Sequence, residues 1–337
     1  MERLGLRSRH ALGGFLRCAA YDMGVPSLLA GLCLSLLLGT LGSCASGKAG
    51  LKNLAIEETK MENSDVVVMA HRGFRGIAPE NTLLAALKGY ESGAEYWELD
   101  VAASSDGTLV VIHDDSLKRT TDAEALFPGR EPWSVYAFSL SELKSLSAGS
   151  WYGRTDPFKQ IASGRVKAED LAGFKDLRIP TLEEALLFTK EKGWKVNVEI
   201  KDATGEACDA WIVEKTAGLI RFLGMAESTV VSSFNHAYLA RMMKAAPEVP
   251  RAALIDRPIP DPVAVLRRLE AVALNPNYKH LDEKTVREVR AAGYKVYVWT
   301  TNEKADMERL VSWGVSGLIT DFPDRALEIL GRQSARP

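Results

Sequence analysis

From residue 64 onward the chain alternates short runs of β-branched and aromatic residues with longer stretches whose apolar positions recur every three or four residues. The short runs read as strands over 65–69, 96–101, 195–200, 229–234, 252–255, 272–275, 296–300 and 317–320. The longer stretches read as helices, among them 82–91, 209–222, 237–246, 262–269, 283–292 and 305–313. Boundary residues agree: Thr181 and Glu184 have the spacing of a capping box, and Gly193, Gly293 and Gly314 stand where a helix must close before the next strand. Eight strand-then-helix units predict an α/β chain folded as a (β/α)8 TIM barrel. A doubly wound open sheet competes, and the lack of a Gly-x-Gly-x-x-Gly turn after the first strand argues against it.

Two intervals break the rhythm. Residues 102–113 read as a hairpin turning at Asp106-Gly107, and 115–178 then carry little periodicity of either kind. Trp133, Phe138, Trp151, Tyr152 and Phe158 make this inserted region aromatic, as suits either a cap over a site or packing on the barrel rim. At the N-terminus, Arg3, Arg7, Arg9 and Arg17 precede an apolar run over 25–41. Leu41-Gly42-Ser43-Cys44 and the polar stretch 45–50 follow. A basic, then apolar, then small-residue order is that of an export signal, and this one resembles the bacterial lipoprotein processing site. On that reading 1–43 is a lipoprotein signal peptide, Cys44 is the lipidated residue, 44–64 form a flexible tether, and 65–332 form the barrel with 115–178 inserted. A plain signal peptide, or a membrane helix with Cys44 incidental, is the alternative.

The lipoprotein reading implies an exported protein held to the bacterial cell envelope by a lipid anchor, facing the periplasm or at the outer membrane. Several acyl chains hold far more firmly than one, because each buried methylene contributes roughly 0.8 kcal/mol. Of the 4 cysteines, Cys208 alone would remain unmodified in the folded body, so no disulfide within the chain is expected. Overall charge adds an exclusion. With 42 Lys+Arg against 44 Asp+Glu the formal net charge is -2, which provides no broad positive field and argues against a nucleic-acid partner.

Strand parity locates the chemistry. In the second strand Tyr96, Glu98 and Asp100 share one face and Trp97, Leu99 and Val101 the other; in the third, Lys195, Asn197, Glu199 and Lys201 share the inner face. Acidic and basic groups at the C-terminal ends of barrel strands point to an active site. Glu98, Asp100 and Glu199 form an all-oxygen cluster suited to one hard divalent cation, Mg2+ or Ca2+, or alternatively to a charge network with Lys201 and Arg72. His71 and Arg72 end the first strand, and His113-Asp114 ends the hairpin. Two histidines beside an acidic site and an arginine would suffice for phosphodiester hydrolysis.

His71-Arg72-Gly73 with Pro79-Glu80-Asn81-Thr82, then Glu98-Leu99-Asp100-Val101, Asp106-Gly107, His113-Asp114 and Arg119-Thr120-Thr121, resemble the glycerophosphodiester phosphodiesterase family. The resemblance continues through Ala148-Gly149-Ser150-Trp151, Asn197-Val198-Glu199-Ile200-Lys201, Ser233-Phe234, Trp299-Thr300-Thr301-Asn302 and Thr320-Asp321-Phe322-Pro323. It implies a (β/α)8 barrel with His71 and His113 as the acid/base pair, Arg72 on phosphate, and Glu98, Asp100 and Glu199 on the metal. Glu80 and Lys201 match further polar positions around the site. Trp299 matches an aromatic position beside the glycerol moiety, or else serves as a core aromatic. The insert departs from the family pattern at 122–129 and 157–177.

The activity implied is metal-dependent hydrolysis of a small-molecule glycerophosphodiester to sn-glycerol 3-phosphate and an alcohol. Two alternatives stand beside it: a membrane-anchored enzyme resembling a lysophospholipase D and acting through a cyclic phosphate, and a non-catalytic phosphodiester-binding lipoprotein.

Overall fold

Among the residues that the computed structural model describes, 65–332, nine strands form one sheet. They are β1 (Val67–Ala70), β2 (Tyr96–Ala103), β3 (Leu109–Val111), β4 (Lys195–Ile200), β5 (Thr229–Ser233), β6 (Arg251–Ile255), β7 (Ala273–Pro276), β8 (Lys295–Val298) and β9 (Gly317–Thr320). The expected signal peptide, Cys44 and the tether lie outside the described residues. Eight strands are parallel, and the sheet closes because β1 pairs with both β9 and β2. The result is the TIM barrel that the alternating pattern predicts. β3 lies outside the ring, antiparallel to β2, with Val101 opposite Val111 and Ala103 opposite Leu109.

The two faces of each strand have separate tasks. Trp97, Leu99 and Val101 of β2 and Val196, Val198 and Ile200 of β4 are buried against the surrounding helices. The barrel lumen is filled by Met69, Val230, Ala252, Ala273, Tyr297 and Ile319. Helices are set by local signals. Thr82 Oγ1 accepts from Ala85 N–H at the start of Leu83–Glu91, and Thr181 and Glu184 complete a capping box on Leu182–Glu191.

The insert is more ordered than its sequence pattern predicts. It contains short helices Ala123–Leu126, Leu140–Ser145, Ser150–Thr155 and Ala168–Phe174, none longer than two turns, which is too short for a helical period to register. Trp133, Phe138, Trp151, Tyr152 and Phe174 of the insert are buried. Trp133 and Phe138 join Ala102, Val110 and Ile112 of the hairpin, while Trp151, Tyr152 and Phe174 form a second cluster against Ile77 and Leu84. Tyr152 Oη donates to Gly76 O at 2.6 Å, tying that cluster to the loop after β1. Rim packing accounts for Trp133, Phe138, Trp151 and Tyr152, while Phe158 meets Phe322 edge-on at 5.5 Å.

Candidate active site

β1 ends at Ala70 and the chain turns through Arg72 (φ 53°) and Gly73 (φ 81°). A Cβ on Gly73 would lie 2.4 Å from the Ala85 carbonyl carbon, so glycine alone lets helix Leu83–Glu91 come this close. The turn presents His71 and Arg72 over the barrel mouth. Arg72 N–H donates to Glu98 Oε2 at 3.0 Å, and Asn81 Nδ2 donates to Asp100 Oδ2 at 2.8 Å.

Glu98 and Asp100 stand opposite Asn197 and Glu199 in the β2–β4 ladder, which places all four on the inner face. Carboxylate oxygens from Glu98, Asp100 and Glu199 lie within 4.8 Å of one another, and all three residues are buried. Burial, then Asp100 and Glu199, push the Glu98 carboxyl well above the usual range. Glu199 is raised by burial and by Asp100. Asp100 moves the other way: burial opposes its ionisation, but Arg72, Lys201 and the Asn81 hydrogen bond hold it well below the usual range. Lys201 Nζ sits 2.9 Å from Glu199 Oε1 and 3.7 Å from Asp100 Oδ1, and Arg72 Nε lies 3.3 Å from Asp100 Oδ2.

These cations offset Glu98 only in part. Among the described residues its carboxylate meets the Arg72 N–H and, at 3.9 Å, His71 Nε2. Three buried oxygen donors with unbalanced repulsion fit a hard divalent cation.

Each histidine is paired with an aspartate through Nδ1. His71 Nδ1 lies 2.7 Å from Asp321 Oδ1, and Asn302 Nδ2 donates to Asp321 Oδ2 at 2.8 Å. His113, half-exposed beyond the end of β3, lies 2.6 Å from Asp114 Oδ1 through its Nδ1. A carboxylate only accepts, so Nδ1 carries a proton in both rings and Nε2 is the atom left for proton transfer. For His71 burial lowers the pKa, Arg72 lowers it further, and Asp321 opposes without reversing the shift. Glu80, buried behind Arg72, accepts from Arg72 Nη1 and from Arg75 Nε, each at 2.7 Å.

His71, Arg72, Glu98, His113, Asn197 and Glu199 line one side of an open cleft, and Phe234, Leu254 and Trp299 line the other. Trp299 Nε1 donates to Asn275 O at 2.9 Å, and Phe234 meets its ring edge-on at 5.5 Å. The mouth is thus polarised: the strand ends of β9, β1, β2 and β4 carry charge, while those of β5, β6 and β8 carry apolar groups. Sequence reasoning gave no role to Asp321, Arg75 or Arg119. Asp321 and Arg119 stand in the quoted motifs, but nothing in their spacing signals their partners.

The glycerophosphoryl diester phosphodiesterase family model matches residues 71–325. A glycerophosphodiester phosphodiesterase from Caldanaerobacter subterraneus subsp. tengcongensis is 35% identical over 264 residues, covering 78% of this chain and 97% of that protein. One from Bacillus subtilis is 29% identical over 265 residues, covering 77% and 84%. Among solved structures, an Oleispira antarctica phosphodiesterase in complex with the product sn-glycerol-3-phosphate superposes with a TM-score of 0.65 at 28% identity, covering 79% of this chain and 96% of that one.

Proposed function

Since the chain belongs to the glycerophosphoryl diester phosphodiesterase family and is a phosphoric diester hydrolase, we propose that it cleaves glycerophosphodiesters to sn-glycerol 3-phosphate and an alcohol by two-histidine catalysis on a cation-bound phosphate. The observation that carries this reading is the convergence in one cleft of two aspartate-paired histidines, a buried arginine and the Glu98 and Glu199 carboxylates, with buried Asp100 completing the acidic set beside them. The product complex of the Oleispira relative supports glycerol 3-phosphate as the product.

Glu98, Asp100 and Glu199 would hold one divalent cation, Mg2+ or Ca2+, which when bound supplies positive charge to phosphate oxygens and developing negative charge. Arg72 and Lys201 flank this set and orient a phosphodiester from two sides. His71, held neutral by burial and Arg72, has its Nε2 lone pair free to take the proton of an attacking hydroxyl. His113, carrying a proton on Nε2, gives it to the leaving alcohol oxygen as the phosphorus–oxygen bond breaks. Trp299 and Phe234 offer an apolar wall for the carbon side of the glycerol or alcohol group.

The test is glycerol 3-phosphate release followed by phosphorus NMR, with and without chelator, for the wild type, His71→Ala and His113→Ala. Each histidine variant is expected to lose roughly 100- to 10,000-fold in kcat. Activity indifferent to both substitutions would refute the mechanism. A cyclic phosphate accumulating ahead of glycerol 3-phosphate would replace water with the substrate's own hydroxyl as nucleophile. The export reading is tested separately: labelled palmitate should enter the wild-type protein in a bacterial host and fail to enter Cys44→Ser.

A further inference from the structure

Arg119 stands at the root of the insert and does not line the cleft, yet its guanidinium spans two carboxylates that do serve it. Nε and Nη2 donate to Asp114 Oδ2 and Oδ1 at 2.6 and 2.9 Å, while Nη1 and Nη2 donate to Glu80 Oε2 and Oε1 at 2.9 and 2.7 Å. Each carboxylate passes the constraint on. Asp114 Oδ1 holds His113 Nδ1, and Glu80 Oε1 holds Arg72 Nη1. Arg75 extends the chain from Glu80 Oε2 to Asp321 Oδ1, at 2.7 and 3.5 Å, and so reaches His71.

The insert grips this arginine from behind. Its guanidinium carbon lies 5.9 Å from the centre of the Trp151 ring, and Trp151 is buried with its Nε1 donating to Ala148 O. Beneath Trp151 the packing is tight: a Cβ on Gly149 would come within 2.2 Å of Phe174 O.

We propose that Arg119 is a positioning residue that fixes His113 and Arg72 in one geometry through Asp114 and Glu80, and that the insert serves to hold Arg119. This rests on the reading that His113 and Arg72 act on the phosphodiester. The role requires a planar fork with donors along two edges; an ammonium is a point charge with three donors and cannot make two paired contacts to each of two carboxylates.

The experiment compares Arg119→Ala and Arg119→Lys with the wild type in kcat, KM and thermal unfolding, with glycerophosphocholine as substrate and divalent cation in excess. Arg119→Ala is expected to lose about 10- to 100-fold in kcat, the scale seen when an outer partner of a functional side chain is removed. KM should stay within about threefold, because the interaction is not with substrate. Free guanidinium ion at millimolar concentration should restore part of the Ala variant's kcat and leave the wild type unchanged, and the Lys variant should remain impaired despite keeping its charge. A folded Lys variant with wild-type kcat, or a rise in KM with kcat intact, would overturn the proposal. So would failure of both variants to fold, which would make Arg119 a stability residue. His113→Ala and Arg72→Ala, assayed in parallel, separate the two levels: if they are fully active, the catalytic reading is wrong; if they are inactive while the Arg119 variants match the wild type, only the positioning role is wrong.

Discussion

His71 and Asp321 are separated by 250 residues in sequence, and their side chains meet at 2.7 Å. The contact exists only because β9 closes the barrel onto β1, with Ala70 opposite Thr320. One hydrogen bond therefore joins completion of the fold to the tautomer of a candidate base.

That contact carries a pH signature. Burial would raise the Asp321 carboxyl, but His71, Arg75 and the Asn302 hydrogen bond hold it down at about 2. A depressed carboxylate stabilises the fold above its unfolded value of about 3.9, and that contribution is lost as pH falls from about 4 through 2. Asp321→Asn should remove on the order of 2 kcal/mol of this acid-side dependence and lower kcat at least about tenfold. Urea unfolding at pH 7, 4 and 2.5 checks it, and parallel profiles for the two proteins would contradict it.

Cation binding should be visible without turnover. A ligand of the folded state at 100 times its Kd stabilises by about 2.7 kcal/mol, so Mg2+ or Ca2+ should raise Tm of the wild type in a concentration-dependent way. Glu98→Gln removes one of three repelling buried carboxylates. In chelator the variant should melt at or above the wild type, and it should show little of the cation-dependent rise. An equal rise in both proteins would remove Glu98 from the metal set.

Trp299→Ala and Phe234→Ala touch only the apolar side of the cleft. Both should raise KM for a glycerophosphodiester by about tenfold with a smaller effect on kcat, the pattern of lost uniform binding. Steady-state kinetics decide, and a kcat defect with KM unchanged would move these rings into the chemical step.

Gly73→Ala faces both a left-handed backbone (φ 81°) and a contact 2.4 Å from the Ala85 backbone. Forcing a methyl group into such packing should cost about 1–3 kcal/mol and depress activity by displacing Arg72. Gly218, within helix Ile212–Phe222, has open space around its missing Cβ, so Gly218→Ala should be neutral or stabilising by about 0.5–1 kcal/mol. Denaturant titration of the pair tests whether close approach, and not the loss of glycine as such, sets the cost.

What could be read from sequence is what repeats locally. Period-two alternation in Tyr96–Ala103 and Lys195–Ile200 places Glu98, Asp100 and Glu199 on the inner face because adjacent residues of a strand must diverge. Helix ends at Thr82 and Thr181 are legible for the same reason: a cap reaches only two or three residues along the chain. Asp321 escapes such reasoning, since its partners His71 and Asn302 come from different strand ends and no spacing encodes the meeting. Trp151 and Tyr152 escape it differently. An aromatic residue in a six-residue helix has the same local pattern whether it covers substrate or fills a rim, and the third dimension alone separates the two.

The polarised mouth divides the enzyme into parts with unequal freedom to vary. Along the arc from β9 through β1 and β2 to β4, almost every charged side chain is the partner of another, so changing one residue disturbs at least two more. Across the cleft, the C-terminal ends of β5, β6 and β8 contribute Phe234, Leu254 and Trp299, of which Phe234 meets Trp299 edge-on and Trp299 packs on the lumen, and none carries that charge. New alcohol preferences, whether arising by drift or by design, have an inexpensive route there: the apolar half of the ring can be resculpted residue by residue while the ionic half stays fixed.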